Sequence, residues 1–288
     1  MLAIYKRELK SYFTSMIGPI FIAVAVAFTG VYFMVYNLSV GYQYFSYALG
    51  STLFIYILLV PILTMRSLSE ERRSKTDQLL LTSPVTVGQM VMGKYLAMLT
   101  VLAIACVIFC ICPVIVTLGG AGHLASDYAA IFMFFVCVSV FIAVGMLISS
   151  LTESPVIAAV GTLGVLLLIY FASGLASYIP TTAMGSFAGC LILLVLLCLI
   201  LYFFTKNWLV AGGISAIGAA VCVILYLVSP SVFENLLPGV LENLSLTENL
   251  DTIMYTFVFD FSGLFYYLSA IFVLIFLTVQ VVQKRRWS

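Results

Sequence analysis

Charge is what this sequence has least of. Asp, Glu, Lys and Arg together make up 8% of its 288 residues, against about 25% in soluble globular chains. Hydrophobic residues reach 64% and the mean hydropathy is +1.23. A soluble domain is excluded, and the bilayer is the solvent this chain is written for. Histidine is almost missing: His123 is the single one. That rules out paired haem ligands and a histidine-based metal cluster. His123 follows the Gly119-Gly120-Ala121-Gly122 turn and reads as a solvated loop residue. The seven cysteines lie inside apolar runs with no CxxC spacing, so they act as small hydrophobes rather than as a disulfide framework or metal site. Ionisable residues are also missing from the middles of the apolar runs. A carboxylate or histidine at that depth is the chemistry of an ion-coupled transporter, so its absence argues against transport powered by this chain itself.

What is there is a series of runs long enough to cross a membrane, which takes about 20 apolar residues, and there are about eight of them. They extend over Ile17–Tyr36, Tyr47–Thr64, Tyr95–Leu118, Tyr128–Ser150, Val156–Tyr178, Ser186–Phe204, Leu209–Val228 and Leu264–Val282. The expected fold is all-α, one polytopic permease domain over residues 1–288. If the runs alternate direction, all 12 basic residues fall on one side, as the positive-inside rule requires of short loops. Both termini are then cytoplasmic, in a multi-pass protein of the cell (inner) membrane. The first apolar run is too long for a signal peptide and reads as a retained span. The tyrosines at 32, 36, 42, 44 and 47 read as an outer interfacial belt. Gly145 with Ser149 is a small-residue pair that lets helices approach closely, most simply within one subunit.

The one large interruption is the loop 66–94, which carries Arg66, Arg72, Arg73, Lys75 and Lys94. Ser67 stands three residues before Glu70, the spacing of a capping box, so a charged helix is expected over Glu70–Asp77, ending in the apolar tip Leu79-Leu80-Leu81. Ser83-Pro84 stops that helix and can start the next one. Gly88 to Lys94 fits the GxxxxGK phosphate loop, but Tyr95 follows where a magnesium-binding Ser or Thr belongs, and no strand precedes it. The expectation is instead a helix running into the membrane, with Lys94 snorkelling to the cytoplasmic interface. The chain carries no ATP site of its own and is not an enzyme by itself.

Residues 229–263 form an extracytoplasmic segment. In it Leu250, Ile253, Met254, Phe257 and Val258 recur at the spacing of one helix face. Ser245 and Glu248 can form its capping box. The expected element is a lid over the helix ends, with Leu250, Ile253, Met254 and Phe257 on its inner face.

Four stretches resemble the permease subunits of type-2 ATP-binding-cassette (ABC) transporters, particularly the gliding-motility-associated branch. KRELKSYFTSMIGPI, with Arg7 and Glu8, resembles the amphipathic N-terminal helix, here residues 1–16. EERRSKTDQLLLTSPVTVGQMVMGKYLA resembles the coupling segment, SSLTESPVIAA the turn after the fourth span, and DFSGLFYYLSAIFVLIFLTVQVVQKRRW the last span. Lys75 and Gln78 depart from that pattern, and residues 186–228 look like a helix pair added to the usual plan. The resemblance implies a second permease subunit, the same chain or a homologous one, and separate ABC ATPase subunits that hold the ATP and Mg. An accessory membrane protein with an extracytoplasmic domain is a further expected partner, and no nucleic acid is expected. The segment Thr76–Pro84 would sit in the ATPase, with Leu79 and Leu80 as apolar anchors and Glu70, Glu71, Arg72, Arg73, Thr76, Gln78, Ser83 and Pro84 around them. Two functions fit: an ATP-driven exporter, or a complex that transmits force or assembles other proteins without a transported substrate. The small outer segment favours the exporter.

Overall fold

The computed structural model describes residues 1–74, 86–120, 122–178, 184–187, 189, 239 and 245–286. Its helices are α1 (Leu2–Thr14), α2 (Ile17–Phe33), α3 (Ser46–Ser51), α4 (Leu53–Thr64), α5 (Ser69–Arg73), α6 (Val87–Phe109), α7 (Ile111–Leu118), α8 (Leu124–Leu151), α9 (Pro155–Tyr178), α10 (Glu248–Thr256) and α11 (Phe261–Arg286). The chain divides into two compact units, Met1–Leu168 with Asn249–Ser288, and Ile169–Glu248. In the second unit the hydroxyls of Ser245 and Thr247 pair at 2.8 Å.

Among the described residues, six stretches are long and apolar enough to cross a membrane: Ile17–Ser39, Leu53–Arg73, Val87–Leu118, Leu124–Leu151, Pro155–Ala172 and Phe261–Lys284. The protein is an all-helical polytopic membrane protein. These stretches correspond to the first five expected spans and the last. The expected pair at 186–228 lies almost wholly outside the described residues.

Two spans are less regular than hydropathy suggests. The end of α2 widens into a π-helical turn over Met34–Ser39, and the Asn37 side chain holds the following loop by donating to the carbonyls of Tyr42 (2.8 Å) and Tyr44 (3.0 Å). The run expected as one helix from Tyr47 breaks at Thr52, between α3 and α4. The Thr52 hydroxyl donates to the Leu49 carbonyl at 2.6 Å, a local bond of the kind that competes with the helical ladder. Pro61 removes a further amide from α4.

Helix α8 is the centre of the first unit. It is apolar on every side, and a helix of that kind is buried on every side; α3, α4, α6 and α11 all pack on it. It packs tightly on α4 at Gly145, where an added Cβ would lie 2.8 Å from Cβ of Thr64. The small-residue pair therefore acts within the subunit. Gly145→Ala should destabilise the purified chain by about 1–3 kcal/mol, the usual cost of overpacking. Combining it with Thr64→Ala, which removes Oγ1 and Cγ2 but keeps the Cβ, should recover only part of the loss in a thermal denaturation series.

Candidate functional site

Helix α1 is amphipathic and lies against α6 through small and hydroxyl-bearing positions. At Gly93 an added Cβ would meet Ile4 Cγ2 at 3.3 Å, and the hydroxyls of Tyr5 and Thr100 pair at 2.9 Å. The chain reverses into α2 through Met16, in the left-handed region at φ 64°. At that corner the buried Tyr12 hydroxyl donates to the Leu63 carbonyl at the end of α4 (3.3 Å). Burial raises the Tyr12 phenol well above its ordinary pKa, so it stays a donor.

Helix α5 is short, but its first turn is anchored. The Ser149 hydroxyl accepts the amides of Leu68 and Ser69, both at 3.2 Å, and donates to the Met65 carbonyl at 3.3 Å. Further on, Arg72 donates to the Ser150 carbonyl (2.8 Å) and pairs with Glu153 (3.2 Å). Its start differs from the expected capping box. The helix begins at Ser69 with no side-chain cap, because the end of α8 supplies the acceptor that Ser67 was expected to provide. The helix entering the membrane starts at Val87, where Thr86 caps it by accepting the amide of Gln89 (3.3 Å).

Between these elements sits Lys94, with 2% of its side chain exposed. Its ammonium lies 2.8 Å from Glu71 and 3.4 Å from Glu8 and donates to the Ser67 carbonyl at 2.7 Å. Arg7 reaches the same two carboxylates, at 2.6 Å to Glu8 and 3.0 Å to Glu71. The hydrogen bond to Glu8 holds the Arg7 guanidinium above its ordinary pKa. Two cations and two anions thus join α1, α5 and α6 beside a polar cavity of about 440 Å³. The expected snorkelling of Lys94 is corrected: the ammonium turns inward, because the carboxylates of α1 and α5 make a better solvent for it than the interface.

The candidate residues divide accordingly. Arg7, Glu8, Glu71 and Arg72 are engaged within the fold, while Glu70 and Arg73 are exposed. Thr76, Gln78, Leu79, Leu80, Ser83 and Pro84 lie outside the described residues. Three of the four stretches that carried the family resemblance, those holding Arg7, Glu71 with Lys94, and Ser149 to Glu153, meet at this one end of the bundle. A family model described as ABC-2 family transporter protein matches residues 2–234. The chain belongs to the ABC-2 transporter family. It is a permease component, and such membrane domains typically lack an ATPase domain and generally pair with an ABC ATPase. No curated protein matches this ABC-2 chain.

At the opposite end of α8 the ABC-2 permease has a second organised region. Leu250, Ile253 and Met254 of α10 are buried, and the Ser46 hydroxyl donates to the Met254 carbonyl at 3.0 Å. The helix stops at Thr256, earlier than its periodicity implies. Phe257 adopts φ 60° and stacks on Tyr44 at 3.6 Å, with His123 stacked on Tyr44 at 4.7 Å. Val258 is consequently exposed rather than on the buried face. Beyond it, Asp260 accepts the amide and hydroxyl of Ser262 at the start of α11, and the hydroxyl contact above all keeps its carboxyl below the ordinary value.

Asp127, four residues into α8, is fully buried. Its carboxylate accepts the amide of Ser46 at 3.3 Å, tying α8 to α3. Asp127→Asn keeps an acceptor and should be tolerated. Asp127→Leu strands that amide and should cost about 1–3 kcal/mol; thermal melts of the two variants check the difference.

Proposed function

We propose that this permease is the membrane subunit of an ATP-driven exporter of the gliding-motility-associated branch, with both termini cytoplasmic in the cell inner membrane. Two such subunits pair, and two separate ATPases holding ATP and Mg dock beneath them on the segment Thr76–Pro84. The observation that carries this reading is the ion cluster of Arg7, Glu8, Glu71 and Lys94. It fastens the helix just before the docking segment to the N-terminal helix and to the third span. A push on α5 is therefore delivered to both at once. The Ser149 and Arg72 contacts pass it to α8 as well. The energy arrives from below, consistent with apolar span centres that offer no proton or ion relay.

The test is ATP turnover. Purified alone, the full chain should hydrolyse no ATP; with its co-purifying ATPase it should, and the permease should alter that rate. Turnover by the chain alone that disappears in Lys94→Ala would mean that GxxxxGK is a nucleotide site after all.

A further inference from the structure

A second cavity of about 520 Å³ lies between α5 and the first turn of α9, and it shares Arg66, Glu70 and Ser74 with the cavity beside the ion cluster. Arg66 and Arg73 line it, with Glu70 as the one carboxylate, and Pro155 and Val156 close its far side. The charge is only partly spent. Arg66 reaches Glu70 at 3.8 Å with both side chains about half exposed, a loose pair worth little in water. Arg73 is exposed and has no ion pair among the described residues. Arginine presents a fork of N–H donors that matches two oxygens of a phosphate. The first turn of α9 adds the positive end of a long helix.

Position and apolar surroundings say what carries the phosphate. The cavity lies at the ends of two membrane-crossing stretches, Leu53–Arg73 and Pro155–Ala172, the level at which lipid headgroups sit. Leading away from it, α9 exposes Val156 and Val160, at 70% and 65%, one helical turn apart, with Ile157 beside them. That is an acyl-chain track starting at a phosphate site. From this juxtaposition we infer that the α5–α9 cavity binds an anionic phospholipid of the leaflet on the basic side of the protein, its phosphate on Arg66 and Arg73 and one chain along α9. Bound there, the lipid ties α5 to the start of α9, so membrane composition would tune how firmly the coupling helix is held.

The test titrates the detergent-purified full chain with dioleoyl phosphatidylglycerol or dioleoyl phosphatidylcholine and follows the melting temperature. Phosphatidylglycerol should stabilise at markedly lower concentration than phosphatidylcholine. Arg66→Gln with Arg73→Gln should reduce that preference roughly thirtyfold, since each surface arginine contributes about 1 kcal/mol toward an anionic lipid. Neutralising Arg285 and Arg286 should leave it intact. If the Gln pair lowers the lipid-free melting temperature too, Arg66→Lys with Arg73→Lys decides, and it must retain most of the preference. Soluble glycerol 3-phosphate should not reproduce the effect. The inference is overturned if the preference survives the Gln pair, follows the terminal arginines, is lost in the Lys pair, or is matched by glycerol 3-phosphate. It is equally overturned if the Gln pair keeps the lipid preference and instead releases the ATPase, which would make this face a protein dock.

Discussion

Lys94→Met is expected to be the most damaging single substitution at the end of the bundle where α1, α5 and α6 meet. The ammonium is the buried member of the cluster, and without it Glu8 and Glu71, each under a fifth exposed, lose the buried cation they share and keep the half-exposed Arg7. Breaking a buried ion pair by deleting one partner costs about 3–5 kcal/mol, much of it the stranded charge. Lys94→Met with Glu71→Gln removes charge from both sides and should recover a large part of that loss. Arg7→Gln touches a partner that is 52% exposed and should cost under about 1 kcal/mol. Thermal melts of the full chain, run beside ATP hydrolysis by the assembled complex, separate stability from coupling. In the double variant the fold should return while control of the ATPase stays impaired, since α5 no longer grips α6. A Lys94→Met melt no worse than that of Arg7→Gln would contradict the assignment of Lys94 as the buried hub.

The second large effect is expected at Leu79 and Leu80. A desolvated apolar anchor contributes about 2 kcal/mol or more to an interface, so Leu79→Asp with Leu80→Asp should weaken ATPase docking by about a thousandfold or more. The permease itself should stay folded. Arg73→Gln removes an exposed charge and should weaken docking only slightly. Arg72→Gln acts differently, because Arg72 holds the corner after α8; it should loosen coupling more than docking. Co-purification yields and equilibrium binding of the ATPase distinguish the cases. Dissociation by Arg73→Gln with retention in the leucine variant would invert anchor and rim.

Much of the architecture was legible because a membrane span needs only length and apolarity, and both are printed in the sequence. The close approach at Gly145 was legible for a similar reason: small residues four apart have few uses in a bilayer other than packing. Interruptions were harder. Nothing in the apolar run Tyr47–Thr64 announces the break at Thr52, since it depends on a single hydroxyl choosing a local carbonyl. The start of α5 was misplaced because its acceptor, Ser149, comes from 80 residues further along the chain. The local pattern at Phe257 continues a helix face, whereas the ring of Tyr44 decides where its side chain goes.

Lys94 is the instructive miss. An isolated cation at the edge of an apolar run normally snorkels, and its carboxylate partners stand 86 residues upstream and 23 residues upstream, on different helices. The available signal was stoichiometric: Glu8 and Glu71 lie beside arginines in two amphipathic segments that belong at the same membrane face, so a basic residue at that level has acids within reach. The residues that carried the family resemblance turn out to be those that touch one another. They form an ion cluster and a serine latch that fasten α1, α5, α6 and α8 to one another.

What the segment after α5 touches decides whether this permease is driven by a separate ATPase. A photo-crosslinking amino acid placed at Leu79 in the full chain, irradiated in native membranes, with the product identified by mass spectrometry, addresses that contact. The expected product is an adduct with an ABC ATPase, lost when Leu80→Asp is added. Adducts only with lipid or with another copy of this chain, in membranes where the ATPase is present, would contradict the claim that this permease is driven through its cytoplasmic loop.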